Sequence, residues 1–182
     1  MIKLWSQNTA KKQAADTIYA AIVAQARHPA FYRDADVPDS LDGRFDVLVL
    51  HMFLFLRRLK REGEVASEVG QLVFDTMFAD LDQDLREMGV GDLGIAKRVR
   101  KMASAFYGRT AAYDDALDGY LAHPEPLESA VKRNIFPDRE VGEGARRIAS
   151  YMASCDGALR AQTTAALLKG EVSFPEPDFE TK

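Results

Sequence analysis

The strongest constraint on the fold is the stretch from Phe74 to Arg109, in which two amphipathic patterns are separated by glycines. Its first half spaces large apolar residues by four and three, the period of one α-helical face: Phe74, Phe78, Leu81, Leu85 and Met88. Its second half repeats this period at Ile95, Val99, Met102 and Phe106. The stretch therefore predicts a hairpin of two helices, with mostly acidic polar residues on the first and mostly basic ones on the second.

Two residues predict the hinge between these helices. Gly89 reaches the left-handed conformation of a helix C-terminus without a Cβ clash, and Asp92 can accept from the open N–H groups of the next helix. Burial of a large apolar side chain contributes about 1.5–3 kcal/mol, whereas an exposed charge pair contributes about 0–1 kcal/mol. We therefore expect packing to hold the hairpin together and to leave its charges available for binding.

Apolar residues also recur at helical spacing in the remainder of the chain. Asn8 or Thr9 is expected to cap a first helix that ends at Ala26, and the pair Asp39 and Asp42 resembles a capping box for a core helix. Gly108 is expected to weaken the basic helix, so that Tyr107 and Arg109 face outward together. The helical ranges are about 8–26, 45–62, 67–88, 92–106, 112–120, 127–133 and 145–169.

No range shows a convincing strand pattern, so the predicted fold class is all-α, a single-domain helical bundle of about six to seven helices. Residues 1–30 are expected to form the N-terminal helix and lead-in, and residues 31–170 the helical core. Residues 171–182 contain two prolines, many charges and no period, so they are expected to form a mobile C-terminal tail of the same domain.

Charge and composition limit the classes of function that the chain can have. The 182 residues carry a formal net charge of −4, which argues against a general nucleic-acid binder. The start of the chain lacks the apolar run of a signal peptide, so we expect a cytoplasmic protein, with peripheral contact at the cytoplasmic face of the inner membrane as a further option. His51 is expected to be a hydrogen-bonded core histidine, and Cys155 a small buried residue.

Several motifs of catalysis or metal binding are incomplete. Gly89, Gly91 and Gly94 spell GxGxxG, but a helix precedes them where a dinucleotide site has a strand. Asp80, Asp82 and Asp84 begin like a calcium loop, yet Leu85 stands where that loop requires glycine. No catalytic Ser/His/Asp or Cys/His set is apparent. We therefore expect no enzyme activity, no metal and no cofactor.

Four short motifs carry a family resemblance: DGRFD at 42–46, LREMGVGD at 85–92, KRV at 97–99 and FYGR at 106–109. With Leu48, His51 and the segment from Phe74 to Asp80, they resemble the ubiquinol-cytochrome c chaperone family over roughly residues 31–120. The resemblance implies an all-helical assembly factor that binds nascent or newly inserted cytochrome b and helps its incorporation into ubiquinol-cytochrome c reductase. It also implies that a ribosome or a small partner protein is a possible contact.

The expected client and partner contacts are mostly charged residues. We expect the acidic flank to receive cationic client loops, exposed aromatic faces to shield apolar segments, and Lys97, Arg98 and Arg109 to hold an acidic partner or the hinge. Tyr32 is a further contact candidate. The full set is Asp42, Arg44, Asp46, Arg57, Arg58, Asp75, Asp80, Asp82, Glu87, Gly89, Gly91, Asp92, Lys97, Arg98, Tyr107 and Arg109.

Other interpretations stay open at this point. Each of these charges can instead belong to a solvated face or an internal ion pair, and Arg57 and Arg58 suit a solvated helix terminus. A ribosome- or nucleic-acid-binding module using the basic helix at 97–101 would show binding that falls steeply with salt. A small-molecule enzyme would require convergent titratable groups in a buried cleft.

Overall fold

A computed structural model describes residues 2–60, 62–137 and 142–179, with side chains from residue 8 onward. Within these ranges the chain forms helices and no strand, which confirms the all-α prediction. Six helices are long and two are single turns. They are α1 (Ile2–Ala26), α2 (Ala30–Arg33), α3 (Leu41–Leu59), α4 (Glu64–Glu87), α5 (Asp92–Asp118), α6 (Glu125–Ile135), α7 (Gly144–Ala161) and α8 (Thr164–Leu167).

Helix α3 is the centre of the bundle. Its residues from Phe45 to Phe55 are all buried, because this segment is apolar nearly all round and contacts α1, α4, α5, α6 and α7. Helices α1 and α4 pack along each other on one side, whereas α5, α6 and α7 follow one another on the other side. Among the helices in the described ranges, none has both the length and the apolar composition needed to cross a membrane.

Helix starts differ from the sequence predictions at three places. Helix α1 begins at Ile2, so Asn8 and Thr9 are interior residues and not caps. Helix α4 begins at Glu64, one turn before Ser67. Helix α3 is capped by Ser40, whose Oγ accepts from the Gly43 amide at 3.1 Å. The capping residues were predicted wrongly because several polar residues near each helix start can accept a hydrogen bond. The local sequence does not determine which of them does so.

The α4–α5 hairpin matches its prediction in outline. Gly89 has φ 79° and ends the acidic helix in the left-handed conformation, as expected. Asp92 is not a cap, because Gly91 holds that position and the Asp92 carboxylate accepts from Arg86 at 2.8 Å. Met88 lies beyond the end of α4 and is exposed, so it does not continue the buried face. Helix α5 runs through Gly108 without a break.

The C-terminal region is more compact than the sequence suggested. The predicted last helix is divided, because Thr163 caps a separate turn, α8, through a hydrogen bond to the Ala166 amide. In the tail that was expected to be mobile, Phe174 and Phe179 pack on the core, with the Phe179 ring 5.3 Å from the ring of Phe31. Aromatic burial thus fixes a segment that lacks helical periodicity. Residues 180–182 of the predicted tail lie outside the described ranges.

Two helical glycines are expected to respond oppositely to alanine. A Cβ at Gly43 would stand 2.0 Å from the carbonyl oxygen of Pro38, whereas a Cβ at Gly108 would meet nothing within 4 Å. We expect Gly43→Ala to lower the free energy of unfolding by about 1–3 kcal/mol through this overlap. Gly108→Ala should raise it by about 0.5–1 kcal/mol through helix propensity. Urea unfolding followed by circular dichroism measures both, and a Gly43→Ala protein as stable as the wild type would contradict the packing described.

Candidate functional site

A groove opens where the start of α3, the middle of α5 and the end of α6 meet. Its volume is about 760 Å³, and we name it the Asp46 groove. The three elements converge because α5 packs against both α3 and α6. The lining side chains come from Pro38, Ser40, Leu41, Asp42, Phe45, Asp46, Leu85, Arg98, Lys101, Met102, Ala105, Arg109, Asn134, Ile135 and Pro137.

The floor of the groove is a buried ion pair. Asp46, in the second turn of α3, is 4% exposed, and its Oδ1 lies 2.6 Å from Nη2 of Arg109 on α5. The guanidinium also lies over the Phe45 ring, 5.8 Å from the ring centroid. Arg109 thus points inward, and the prediction that it faces outward beside Tyr107 is wrong. Because α5 is continuous, Arg109 lies on the side of this helix that faces the groove. The opposite charge of Asp46 holds the Arg109 side chain there.

The environment of Asp46 disfavours its charged form. Burial raises the pKa of Asp46 to about 7, the Arg109 guanidinium opposes that rise, and the nearby Asp42 carboxylate adds to it. The Arg109 guanidinium therefore offsets only part of the cost of burying this carboxylate. Burial and the charge of Asp46 also raise the pKa of the Tyr113 hydroxyl, which stays neutral.

Several buried polar atoms around the floor lack a hydrogen-bond partner within the described part of the chain. Arg109 Nε is one of them, and Asp46 Oδ1 has its ionic contact without an aligned hydrogen bond, whereas the Tyr113 hydroxyl and the Asn134 side chain interact with each other. A buried donor left unsatisfied costs about 1–3 kcal/mol. These atoms are shielded from solvent, so a ligand in the groove would meet the exposed side chains around them.

The wall and rim of the groove have different chemistry. Phe45, Met102 and Ile135 form an apolar wall. Arg98 and Lys101 are exposed at the rim, and neither forms an ion pair in the described ranges. The groove therefore combines an apolar wall with exposed cations and the Asp42 carboxylate, a surface that suits a polypeptide segment with both apolar and charged groups.

A second groove lies on the other side of α5, between that helix, α4 and the end of α3. Its volume is about 430 Å³, and we name it the Tyr107 groove. Tyr107 is exposed at its mouth, with its ring 6.0 Å from Phe74 and 5.6 Å from Phe106. Phe53 and Leu56 of α3 contribute further apolar surface. Helix α5 is thus a ridge with a groove that carries charged residues on one side and an aromatic groove on the other.

The structure brings some of the predicted site residues together. Asp42, Asp46, Arg98 and Arg109 line the Asp46 groove, and Tyr107 lines the Tyr107 groove. Arg44 is close in sequence but exposed, and its Nε donates to Asp39 at 2.7 Å. Lys97 is exposed on the outer face of α5. Gly89 and Gly91 shape the hinge and line neither groove.

Arg57 and Arg58 belong to internal clusters and not to a solvated helix terminus. Arg57 contacts Asp114, Asp118 and Asp156, which joins α3 to α5 and α7. Arg58 pairs with Glu62 at 2.5 Å and donates to the carbonyl oxygen of Leu159 at 3.0 Å. Both guanidinium groups turn back along the bundle because carboxylates and helix-end carbonyls surround them.

The acidic flank of α4 is also occupied by internal partners. Asp80 accepts from the Tyr19 hydroxyl at 2.7 Å, and Asp82 pairs with Arg86 at 2.6 Å. Asp75 and Glu87 accept from Gln71 and Gln83, one turn earlier on the same helix. Tyr32 donates to the carbonyl of Ala26 at 2.9 Å and packs on the core. These contacts give each residue a structural role.

Sequence reasoning missed Asn134, which lines the Asp46 groove, and Tyr113, which is buried near the Asp46–Arg109 pair. Tyr113 lies one helical turn after Arg109, at an apolar position of α5, so a polar side chain on a buried face was the available signal. Asn134 ends a short helix that is distant in sequence from Asp46, and no local pattern links the two. Within the described ranges, no group of three or more His, Cys, Asp or Glu side chains is placed to hold a metal ion.

Comparison with known proteins assigns the family. Residues 33–174 match the model of the family described as ubiquinol-cytochrome C chaperone. The chain belongs to this chaperone family. The match contains the residues of both grooves. A similar solved structure is the crystal structure of the Cbp3 homolog from Brucella abortus, with 38% sequence identity, a TM-score of 0.86, and coverage of 97% of this chain and 98% of that one.

Curated relatives of this chaperone-family chain are named ubiquinol-cytochrome c reductase complex assembly factor 1. The Homo sapiens protein is 27% identical over 171 residues, which cover 90% of this chain and 54% of the relative. The Xenopus laevis protein is 27% identical over 125 residues, which cover 69% of this chain and 61% of the relative. The chain thus spans between about half and three fifths of the length of these two relatives.

Proposed function

We propose that this chain is an assembly chaperone for ubiquinol-cytochrome c reductase and that its client is cytochrome b. Family membership supports the assembly role, because relatives along most of the chain are named for assembly of that complex. The role requires binding and release of a polypeptide and no chemical reaction. Its place of action is the cytoplasmic face of the inner membrane, where a membrane-protein client emerges.

The exposed rim cations and the apolar wall of the Asp46 groove carry the placement of the client site. A membrane protein before assembly exposes apolar segments together with polar loops. The aromatic Tyr107 groove offers apolar contact for such a segment. The Asp46 groove offers an apolar wall and, at Arg98 and Lys101, cations for acidic side chains. One client segment crossing the α5 ridge would use both grooves.

We place the client contact in the grooves and not on the acidic flank of α4, because Asp80 and Asp82 already have partners within the protein. A small partner protein or the ribosome remains a further proposed contact. The ribosome- or nucleic-acid-binding alternative rests on the exposed cations at 97–101, which lack ion pairs in the described ranges.

The rim cations provide a test of the proposed function. We expect Arg98→Glu combined with Lys101→Glu to weaken client capture by up to about thirtyfold, because an exposed charge pair contributes about 0–1 kcal/mol. A strain lacking the gene is complemented with the wild type or the double variant. Reduced-minus-oxidised haem spectra and the quantity of reductase subunits, beside an unrelated terminal oxidase, give the readout. We expect selective loss of cytochrome b and its complex in the deletion strain and in the double variant.

A matched control carries the same change in charge elsewhere. Lys12 and Lys169 are exposed and line neither groove, so Lys12→Glu with Lys169→Glu should restore cytochrome b to the wild-type level. Normal cytochrome b in the deletion strain would refute the assembly role. Normal cytochrome b in the Arg98→Glu/Lys101→Glu strain would refute the groove as the client site. Salt-sensitive RNA binding lost by that variant would favour the alternative.

A further inference from the structure

The hinge between α4 and α5 exposes aliphatic side chains that no part of the described chain covers. Leu93, in the first turn of α5, is 91% exposed, and Met88, just after α4, is 59% exposed. Isolated exposed apolar residues are ordinary, but two at one protruding turn form a distinct surface. Neither residue lines the Asp46 groove or the Tyr107 groove.

Cations continue this surface along α5. Leu93, Lys97, Arg100 and Ser104 are spaced by four, three and four, so they share the outer face of the helix. Lys97 and Arg100 are exposed and form no ion pair in the described ranges, although Arg100 Nε donates to the carbonyl of Ala96 at 3.1 Å. We name Met88, Leu93, Lys97 and Arg100 the hinge tip.

The carboxylates nearest to the hinge tip have partners. Arg86 donates to Asp82 at 2.6 Å and to Asp92 at 2.8 Å, which offsets part of the negative charge beside Leu93. Glu87 accepts from Gln83 at 2.8 Å. The amide of Gln83 leaves the charge of Glu87 in place, but Lys97 and Arg100 lie further along α5, on the side that faces away from the core.

We propose that the hinge tip docks on an anionic phospholipid surface, with Met88 and Leu93 entering the interfacial layer and Lys97 and Arg100 contacting lipid phosphates. Exposed aliphatic side chains beside cations are the combination that interfacial segments use. The charge complementarity favours anionic over neutral lipid, and each cation near such a surface contributes about 1 kcal/mol. Binding of this kind is weak and reversible.

The side chains of the hinge tip favour a membrane over other partners. Single-stranded nucleic acid binds through aromatic side chains on which bases stack, and the tip has none. A stable protein interface requires about 800 Å² from each partner, more than four side chains at one turn provide. The inference goes beyond the proposed function and does not depend on it. It would hold both grooves close to the membrane from which a client emerges.

Vesicle sedimentation tests the docking without any client protein. The purified full chain is mixed with vesicles of phosphatidylcholine containing about a third phosphatidylglycerol, and with vesicles of phosphatidylcholine alone. We expect binding to the first, weakened about 25-fold or more by Lys97→Glu with Arg100→Glu, since each cation accounts for about fivefold. Leu93→Ser should weaken binding about fivefold to tenfold by removing aliphatic surface from the interface.

The chain provides a matched control for each change. Leu121 is 98% exposed just beyond the far end of α5, so Leu121→Ser tests whether any exposed leucine matters. Lys12→Glu with Lys169→Glu repeats the charge change away from the tip. Both controls should bind like the wild type. Absence of binding to anionic vesicles, equal loss in a control, or binding of RNA in place of vesicles would overturn the proposal, whatever the outcome of the haem spectra.

Discussion

Replacement of Arg57 by alanine is expected to lower the free energy of unfolding by about 3 kcal/mol, because removing one member of a buried ion cluster leaves its partners uncompensated. The Arg57 side chain is 11% exposed and contacts Asp114, Asp118 and Asp156. Lys60 and Arg160 still neutralise two of these carboxylates, which places the expected loss at the lower end of the range for buried pairs. Urea unfolding at pH 7 measures the difference.

Two further variants separate the cluster from a general charge effect. Arg160→Ala removes an exposed cation from Asp156 and should cost less than about 1 kcal/mol, as exposed pairs do. Arg57→Lys should recover only part of the stability, because an ammonium group cannot reach three carboxylates as the planar guanidinium does. An Arg57→Ala protein within about 0.5 kcal/mol of the wild type would show that the cluster does not hold α3 to α5 and α7.

The lowered pKa of Asp114 indicates that this ion cluster stabilises the folded state. Burial alone would raise the pKa of the Asp114 carboxyl, yet hydrogen bonds from Lys60 and Arg57 hold that pKa below its ordinary value. The folded state therefore favours the ionised carboxylate. Arg57 and Arg58 were plausible binding residues from sequence because they follow a long apolar run. Apart from Glu62, one turn after Arg58, their partners come from residues 114–164, and no local pattern predicts contact with such distant groups.

Helical periodicity predicted the architecture well for helices that bury only one of their faces. The faces at Leu81, Leu85, Ile95 and Phe106 are buried as predicted, because spacings of three and four leave few other ways to cover apolar residues. His51 and Cys155 are also buried, as expected from their apolar neighbours. Helix starts and the C-terminal packing were harder to predict, because caps and aromatic tail contacts such as that of Phe179 depend on the assembled bundle.

The candidate site was only half visible in the sequence. Asp42, Asp46, Arg98 and Arg109 were singled out through the family motifs and they do converge. Asn134 lines the groove and Tyr113 lies buried near the Asp46–Arg109 pair, from positions that look like ordinary helix residues. What distinguishes them is a polar group placed inside the protein, and this property exists only after folding. The binding role of the acidic flank stays a prediction.

Acidification is expected to destabilise the bundle through His51. This residue is fully buried, and its Nδ1 lies 2.8 Å from the carbonyl of Val47 and must donate to it. Its Nε2 then accepts from the Tyr151 hydroxyl at 2.9 Å, and that hydroxyl accepts in turn from Gln25. The rings of Phe31 and Phe174 pack edge-on against the imidazole. A second proton on the imidazole would break this chain of hydrogen bonds in an apolar setting.

The direction in which stability changes with pH follows from the lowered pKa of His51. Burial lowers the pKa of His51 to about 4, against the opposing contact with the Val47 carbonyl, whereas the unfolded chain protonates near 6.5. The stability that depends on neutral His51 is therefore fully present above pH 6.5 and is lost as the pH falls through 6.5 toward 4. The expected loss is about 3 kcal/mol over this range. Asp46 acts oppositely, because its raised pKa favours folding as the pH falls from 7.

The His51→Gln variant separates the effect of His51 on the pH dependence of stability from the effects of Asp46 and the other carboxylates. The variant should be less stable than the wild type at pH 7, since it loses the aromatic contacts, but it cannot gain a proton. Between pH 7 and pH 4 the wild type should therefore lose about 3 kcal/mol more than the variant. Urea unfolding at low protein concentration is suited to this range, which includes the pI near 5.4. His123→Gln, at an exposed histidine, should follow the wild-type curve. Parallel curves for the wild type and His51→Gln would show that burial does not hold His51 neutral.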